Sequence, residues 1–218
     1  DRLRIGPFEI EFIRVCHSVV DGVGLAIRTP LGLIVHTGDF KIDHTSANEM
    51  MTDVNGFAQC GEEGVLALLS DSTNVEKEGH TISAQAIGDE LSRITDAATG
   101  RIIVALFASN IARIQQIVNA AIHAGRKVMV SGRSMVSNIA IARQLGYLKV
   151  PDEQLIDLRN LRDLGGDQVL VLTTGSQGEP MAALTRLAFG KHKDFVVQEN
   201  ENAKYIPSSF RNEQLQDV

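Results

Sequence analysis

His17 and Asp39, with twenty-one residues between them in CHSVVDG and HTGDFKID, are the side chains of this 218-residue chain best suited to metal chemistry. An imidazole nitrogen and a carboxylate oxygen are suitable donors for Zn or Mn, and a carboxylate has two oxygens with which to bridge two ions. Asp39 is the natural bridge, and the chemistry would be hydrolysis by a metal-activated water. Spacing alone equally describes a loop histidine bonded to a turn carboxylate, and two donors fall short of the three or four a protein metal site normally uses.

The elements that must carry this pair are readable nearby. Phe8 to Val15 alternates apolar and polar residues as a strand does, which leaves His17 in the loop that follows. Gly24 to Thr29 and Leu33 to Thr37 flank Pro30-Leu31-Gly32, a hairpin pattern whose second arm delivers Gly38-Asp39. His36 precedes the TGD string and points to the face opposite Thr37.

Beyond residue 80 the pattern changes to strand, loop and helix repeated. Ser83 or Thr81 caps a helix running to about Thr99; a strand covers Arg101 to Phe107; a helix from about Asn110 to His123 carries Ile111, Ile114, Ile117, Val118 and Ala121 on one stripe. Lys127 to Val130 is a short strand, Gly132-Arg133-Ser134 a turn, and Met135 to Leu145 a helix stopped by Gly146. Gln168 to Thr173 is a further strand, Gly175 to Glu179 a loop, and Pro180 to Phe189 a helix with proline in its first turn. Such repetition predicts an α/β fold with a parallel sheet flanked by helices.

In a parallel sheet the three strand-to-helix loops share one edge, and helix N-termini favour phosphate. Ser109, Asn110, Arg133, Ser134, Ser176 and Gln177 are therefore candidates for gripping a phosphate backbone. Ser and Asn are also good N-caps in their own right. GSQGEP lacks the lysine and the glycine spacing of a P-loop, and GxGxxG is absent from the strand-to-helix turns, which disfavours a nucleotide-binding domain.

The net charge of −6 is unevenly spread: residues 1 to 80 carry 6 basic and 13 acidic side chains, residues 81 to 192 carry 12 and 9, and residues 193 to 218 carry 3 and 5. An acidic region that gathers cations beside a mildly basic one that tracks phosphates suits a nuclease, although ordinary surface scatter gives the same small excess. Cys16 and Cys60 lack CxxC spacing, which argues against a disulfide framework and a cysteine-based zinc module. No run reaches the roughly 18 apolar residues of a membrane span, and a cytoplasmic location is the simplest expectation.

The strings HSVVDGVGLAIRTPLGLIVHTGDFKID, LLSDSTNVE, GRIIVALFASNIARIQQI, GRKVMVSGRSM and TTGSQGEPMAALTRLA, in this order over about Phe8 to His192, resemble the bacterial ribonuclease J family. The resemblance implies part of a metallo-β-lactamase αββα fold over 1–80, a β-CASP domain over 81–195, and an unmatched stretch over 196–218. It implies a dimetal ribonuclease with 5′-to-3′ exonuclease and endonuclease action on single-stranded RNA, using two divalent ions (Zn or Mn) and assembling as a homo-oligomer. His17 and Asp39 match its metal ligands, and Asp71 in SDSTN matches the acidic residue of the first β-CASP motif, which serves catalysis by supporting the active-site histidines.

The family's HxHxDH cluster is expected upstream of this segment, and its PIPGNE-like return, SGH motif and last ligand histidine are not found in QENENAKYIPSSFRNEQLQDV. The resemblance therefore implies a segment that by itself is inactive. A non-catalytic RNA-binding or protein-docking module derived from the family is the alternative. The face of residues 1–80 that the rest of such a fold would cover should be apolar, and would favour self-association if exposed.

Overall fold

A computed structural model of the chain describes residues 2–42, 51–73, 75, 76, 78, 83–157, 161, 164–175, 183–191 and 204–207. It divides into two compact units, Asp1–Ala86 and Ile87–Val218. The division falls just inside a helix and not at residue 80.

The first unit is a five-stranded sheet in sequential order: β1 (Arg2–Ile5), β2 (Phe8–Arg14), β3 (Val23–Thr29), β4 (Gly32–His36) and β5 (Val65–Leu69). Neighbours run antiparallel through β4, and β5 joins β4 in parallel. The hairpin lies where its turn residues predict it: Thr29 Oγ1 accepts the N–H groups of Leu31 and Gly32 and donates to the Gly32 carbonyl. Between β4 and β5 comes α1 (Val54–Glu63), which the sequence reading did not anticipate, nor did it anticipate β1. Asp53 caps α1 by accepting the Gly56 N–H at 3.0 Å.

One face of this sheet is covered. Ile13, Ala26, Leu33 and Val35 pack against Cys60 and Phe57 of α1. The approach is close at Gly24, where a Cβ would lie 2.7 Å from the Phe57 ring. Residues of the other parity, paired across β1 to β4, make the opposite face: Leu3, Ile5, Phe8, Ile10, Phe12, Leu25, Ile27 and Ile34. Leu3 and Ile5 are 47 % and 54 % exposed there, Phe8 and Phe12 42 % and 38 %.

The second unit carries the expected parallel sheet. Its order is β10 (Lys204–Pro207), β6 (Ile102–Ala105), β9 (Val169–Thr173), β7 (Lys127–Val130), β8 (Leu155–Ile156), every pair parallel. Around it lie α2 (Ala84–Ala97), α3 (Ile111–His123), α4 (Arg133–Gln144) and α5 (Ala183–Ala188). Ile103, Met129, Val169 and Val171 pack with Leu161 and Leu187 on one face. Ile102, Val104, Val128, Leu170 and Leu172, of the other parity, are just as fully buried. A parallel sheet covered on both sides needs apolar residues on both faces, and β6, β7 from Val128 and β9 as far as Leu172 have them.

Several local expectations hold and some shift. Ser83 caps α2, its Oγ accepting the Ala86 N–H at 3.1 Å; Thr81 lies outside the described residues. The predicted stripe of α3 is buried at all five positions. Arg133 and Ser134 are the first turn of α4, not a turn before it, because Gly132 at φ 103° makes the bend alone. The stretch 196–218, which matched no family motif in the sequence, contributes β10, which pairs with β6.

Candidate functional site

Three loops at one end of the first sheet carry the motif residues. The His17 loop follows β2 and is closed by the Val15 N–H bonding Gly22 O at 2.9 Å, with Asp21 in the left-handed region at φ 54°. Asp is among the residues that tolerate that conformation. The Asp39 loop follows β4, and Gly38 at φ 62° has no room for a side chain, since a Cβ would lie 2.7 Å from the Val23 carbonyl oxygen. The Asp71 loop follows β5.

The backbone joins these loops. Cys16 and Lys41 form an isolated bridge, the Lys41 N–H donating to Cys16 O at 2.8 Å, which sets His17 and Asp39 on adjoining segments. The Thr37 N–H donates to Leu69 O at 3.0 Å. Asp71 Oδ1 accepts the Thr73 N–H at 2.9 Å. Hydrogen bonds from the Thr73 N–H and side chain hold the Asp71 carboxyl below the ordinary aspartate range, helped by the Phe40 N–H and by the charge of His17. Asp71 thus bonds the backbone of the residue after Asp39 and feels the charge of His17 through space. His17 is half-buried with Nδ1 3.2 Å from Ser18 Oγ, whereas Asp39 is exposed. His36 is spoken for, its Nδ1 accepting the Gly38 N–H at 3.0 Å.

As donors, His17 and Asp39 are of the right chemistry for a divalent ion but too few. Among the described residues no group of three or more His, Cys, Asp or Glu could hold a metal. Among the described residues the side chains therefore do not by themselves fit a metal centre.

The phosphate candidates lie in the second unit, at the edge shared by the carboxyl ends of the parallel strands. Gly132, Arg133, Ser134, Ser137, Thr174, Ala183 and Arg186 line a cleft of about 590 Å³. The start of α4 lines it, and Gly132 provides that helix no side-chain cap, which suits its first N–H groups to an anion. Arg133 and Ser134 are exposed at its rim. Arg186 adds a buried Nε with no hydrogen-bond partner among the described residues, a donor that an anion would satisfy.

Ser137 was findable, since it stands one helical turn from Arg133 on the same face of α4. Arg186 was not, because nothing in ALTRLA distinguishes a cleft arginine from a solvated one. Asn110 serves first as the cap of α3, its Oδ1 accepting the Arg113 N–H at 3.1 Å, and Ser109 is half-buried in the turn before it. Ser176 and Gln177 lie outside the described residues.

The basic excess of this unit is partly internal. Arg126 is buried, donating to the carbonyls of Gly100 and Ala98, and Lys127 Nζ donates to Glu153 O at 2.9 Å. The phosphate reading therefore rests on the cleft, not on net charge.

The family model described as "Ribonuclease J, beta-CASP domain" matches residues 99–210. The chain is 46 % identical over 206 residues to ribonuclease J of Synechocystis sp., covering 94 % of this chain and 32 % of that protein. It is 47 % identical over 199 residues to ribonuclease J of Thermus thermophilus, covering 91 % and 35 %, and 42 % identical over 207 residues to ribonuclease J2 of Bacillus subtilis, covering 95 % and 37 %. It thus spans about a third of the length of the curated relatives it matches. A crystal structure of a protein of unknown function from Enterococcus faecalis V583 is similar in fold, with a TM-score of 0.57 at 17 % identity over 79 % of this chain and 43 % of that one.

Proposed function

We propose, since this chain belongs to the ribonuclease J family and includes its β-CASP domain, that it is a segment of a metal-dependent ribonuclease acting on single-stranded RNA in RNA processing and decay. The observation that carries the proposal is the meeting of the His17, Asp39 and Asp71 loops, fastened by the Cys16–Lys41 bridge and by the bonds around Asp71. In this reading residues 1–80 belong to the metallo-β-lactamase part and most of the remainder to the β-CASP part.

In the longer protein His17 and Asp39 would supply two of the donors for a pair of divalent ions (Zn or Mn), and Asp71 would support His17. Ions bound there would supply Lewis acidity for phosphodiester hydrolysis. The remaining donors come from parts of the longer protein, so the 218-residue chain alone is inactive. The cleft of Arg133, Ser134, Ser137, Thr174 and Arg186 holds a backbone phosphate, and Ser109, Asn110, Ser176 and Gln177 are further candidates for the RNA backbone. Exonuclease action from the 5′ end together with endonuclease action, a homo-oligomeric parent and a cytoplasmic location complete the reading. No helix among the described residues is long and apolar enough to cross a membrane.

The test is cleavage of a 5′-monophosphorylated single-stranded RNA with added Mn or Zn, by this chain and by a protein of the relatives' full length, each beside Asp39→Ala. Activity confined to the longer protein and lost with Asp39 is the expected result. RNA binding without cleavage by either form would replace the enzyme reading with a binding or docking module.

A further inference from the structure

Two threonine hydroxyls do the same work at the two ends of the Asp39 loop. Thr37 Oγ1 donates to Gly38 O at 2.8 Å and accepts the Asp71 N–H at 3.0 Å. Thr52 Oγ1 donates to Lys41 O at 2.7 Å and accepts the Cys16 N–H at 2.9 Å. The two carbonyls bracket Asp39 and Phe40, while the two N–H groups belong to the other motif loops: Asp71 itself, and the residue before His17.

We propose that Thr37 and Thr52 are positioning residues, which pin the 38–41 segment at both ends so that Asp39 keeps a fixed place between the His17 loop and the Asp71 loop. Asp39 is exposed, so packing does not hold its side chain, and the position of its carboxylate must come from its backbone. Only a hydroxyl can both donate to a carbonyl and accept from an N–H at one atom. Valine has the shape but neither capacity, and serine has both. Thr37 is buried and Thr52 half-buried, so the bonds they make are shielded from competing water. Asp53, next to Thr52, adds a further tie through its N–H to Arg14 O at 2.9 Å, which fixes Thr52 to the end of β2.

The inference rests on the reading of His17 and Asp39 as metal donors, and the two can be separated by experiment. In the ribonuclease of full relative length, Thr37→Val, Thr37→Ser, Thr52→Val and Thr52→Ser are compared with Asp39→Ala for kcat, KM on single-stranded RNA, the Mn concentration giving half activity, and amide hydrogen exchange at Cys16, Lys41 and Asp71. Each valine variant is expected to lose kcat by about 10- to 100-fold, the scale of a misplaced reacting group, with KM nearly unchanged and a higher Mn requirement. The serine variants should recover most of that loss. Exchange should quicken at Cys16 in Thr52→Val and at Asp71 in Thr37→Val.

Valine variants with full kcat, or serine variants no better than valine, overturn the positioning role while leaving Asp39→Ala inactive. Should Asp39→Ala stay active, it is the donor reading that fails, and the proposal with it as a statement about catalysis. Unaltered exchange in the valine variants overturns the pinning itself.

Discussion

Glu63, the last residue of α1, holds Arg28 of β3 at 2.6 Å, and Arg28 in turn lies 2.9 Å from Glu11 of β2. The guanidinium therefore ties the helix to the middle of the sheet. The hydrogen bonds from Arg28 hold the Glu63 carboxyl below the ordinary glutamate range, and the paired carboxylates raise Arg28 further above its already high value. A carboxyl lowered on folding contributes stability above its unfolded value, near pH 4.3, and loses it as pH falls through the folded one. Thermal melts between pH 7 and pH 3 should show an acid-side loss that is smaller in Glu63→Gln. An unchanged acid limb in that variant would mean the pair is too solvated to matter.

Gly38→Ala should cost at least about 1–2 kcal/mol, the ordinary penalty of a left-handed L-residue, with the contact against the Val23 carbonyl adding to it. The strain falls one residue from Asp39. Denaturant unfolding reads the stability change, and the full-length enzyme should lose activity beyond what that change explains. A fully active, equally stable variant would show that the loop tolerates another path.

Arg133→Ala should weaken binding of single-stranded RNA by the second unit and reduce the slope of log K against log salt by about 0.7, the value for one lost contact to a single-strand phosphate. Arg186→Met tests the buried donor of the same cleft. Binding titrations at several salt concentrations make the measurement, and an unaltered slope in both variants would remove the cleft from the RNA path.

The uncovered face of the first sheet should make the isolated chain associate. Leu3, Ile5, Phe8 and Phe12 present contiguous apolar surface, and faces of that kind are satisfied by burial against another layer. Light scattering across a tenfold concentration range should show growth in mass that Phe12→Lys diminishes. A mass equal to one chain at every concentration would contradict this.

What the sequence made legible was whatever is encoded locally. The hairpin around Pro30, the buried stripe of α3 and β7 at Lys127–Val130 were all readable, because turn chemistry and period are local properties. Helix α1 was not. VNGFAQCGEE has two glycines and an asparagine, poor helix formers, and its stability comes from Phe57 and Cys60 packing on the sheet. Strand β10 escaped for a similar reason: KYIP ends in proline, tolerable on an edge strand but a poor advertisement for one. At the candidate site, His17, Asp39 and Asp71 were singled out by type and motif. Thr37 and Thr52 were not, because their importance lies in bonds to loops far along the chain. The burial of Arg126 was equally illegible, because the carbonyls that bind it lie outside any local sequence window.

The pairing of Lys204 with Ile102 also sets a timetable. The first strand of the parallel sheet to leave the ribosome is flanked on one side by the last, and the long intervening loop must close before that edge is satisfied. Until then β6, apolar at all four positions, has one open backbone edge, a template for pairing with another nascent chain. Chains stalled before Lys204 should therefore aggregate more readily than chains that include it, because the backbone edge of β6 stays unpaired in them.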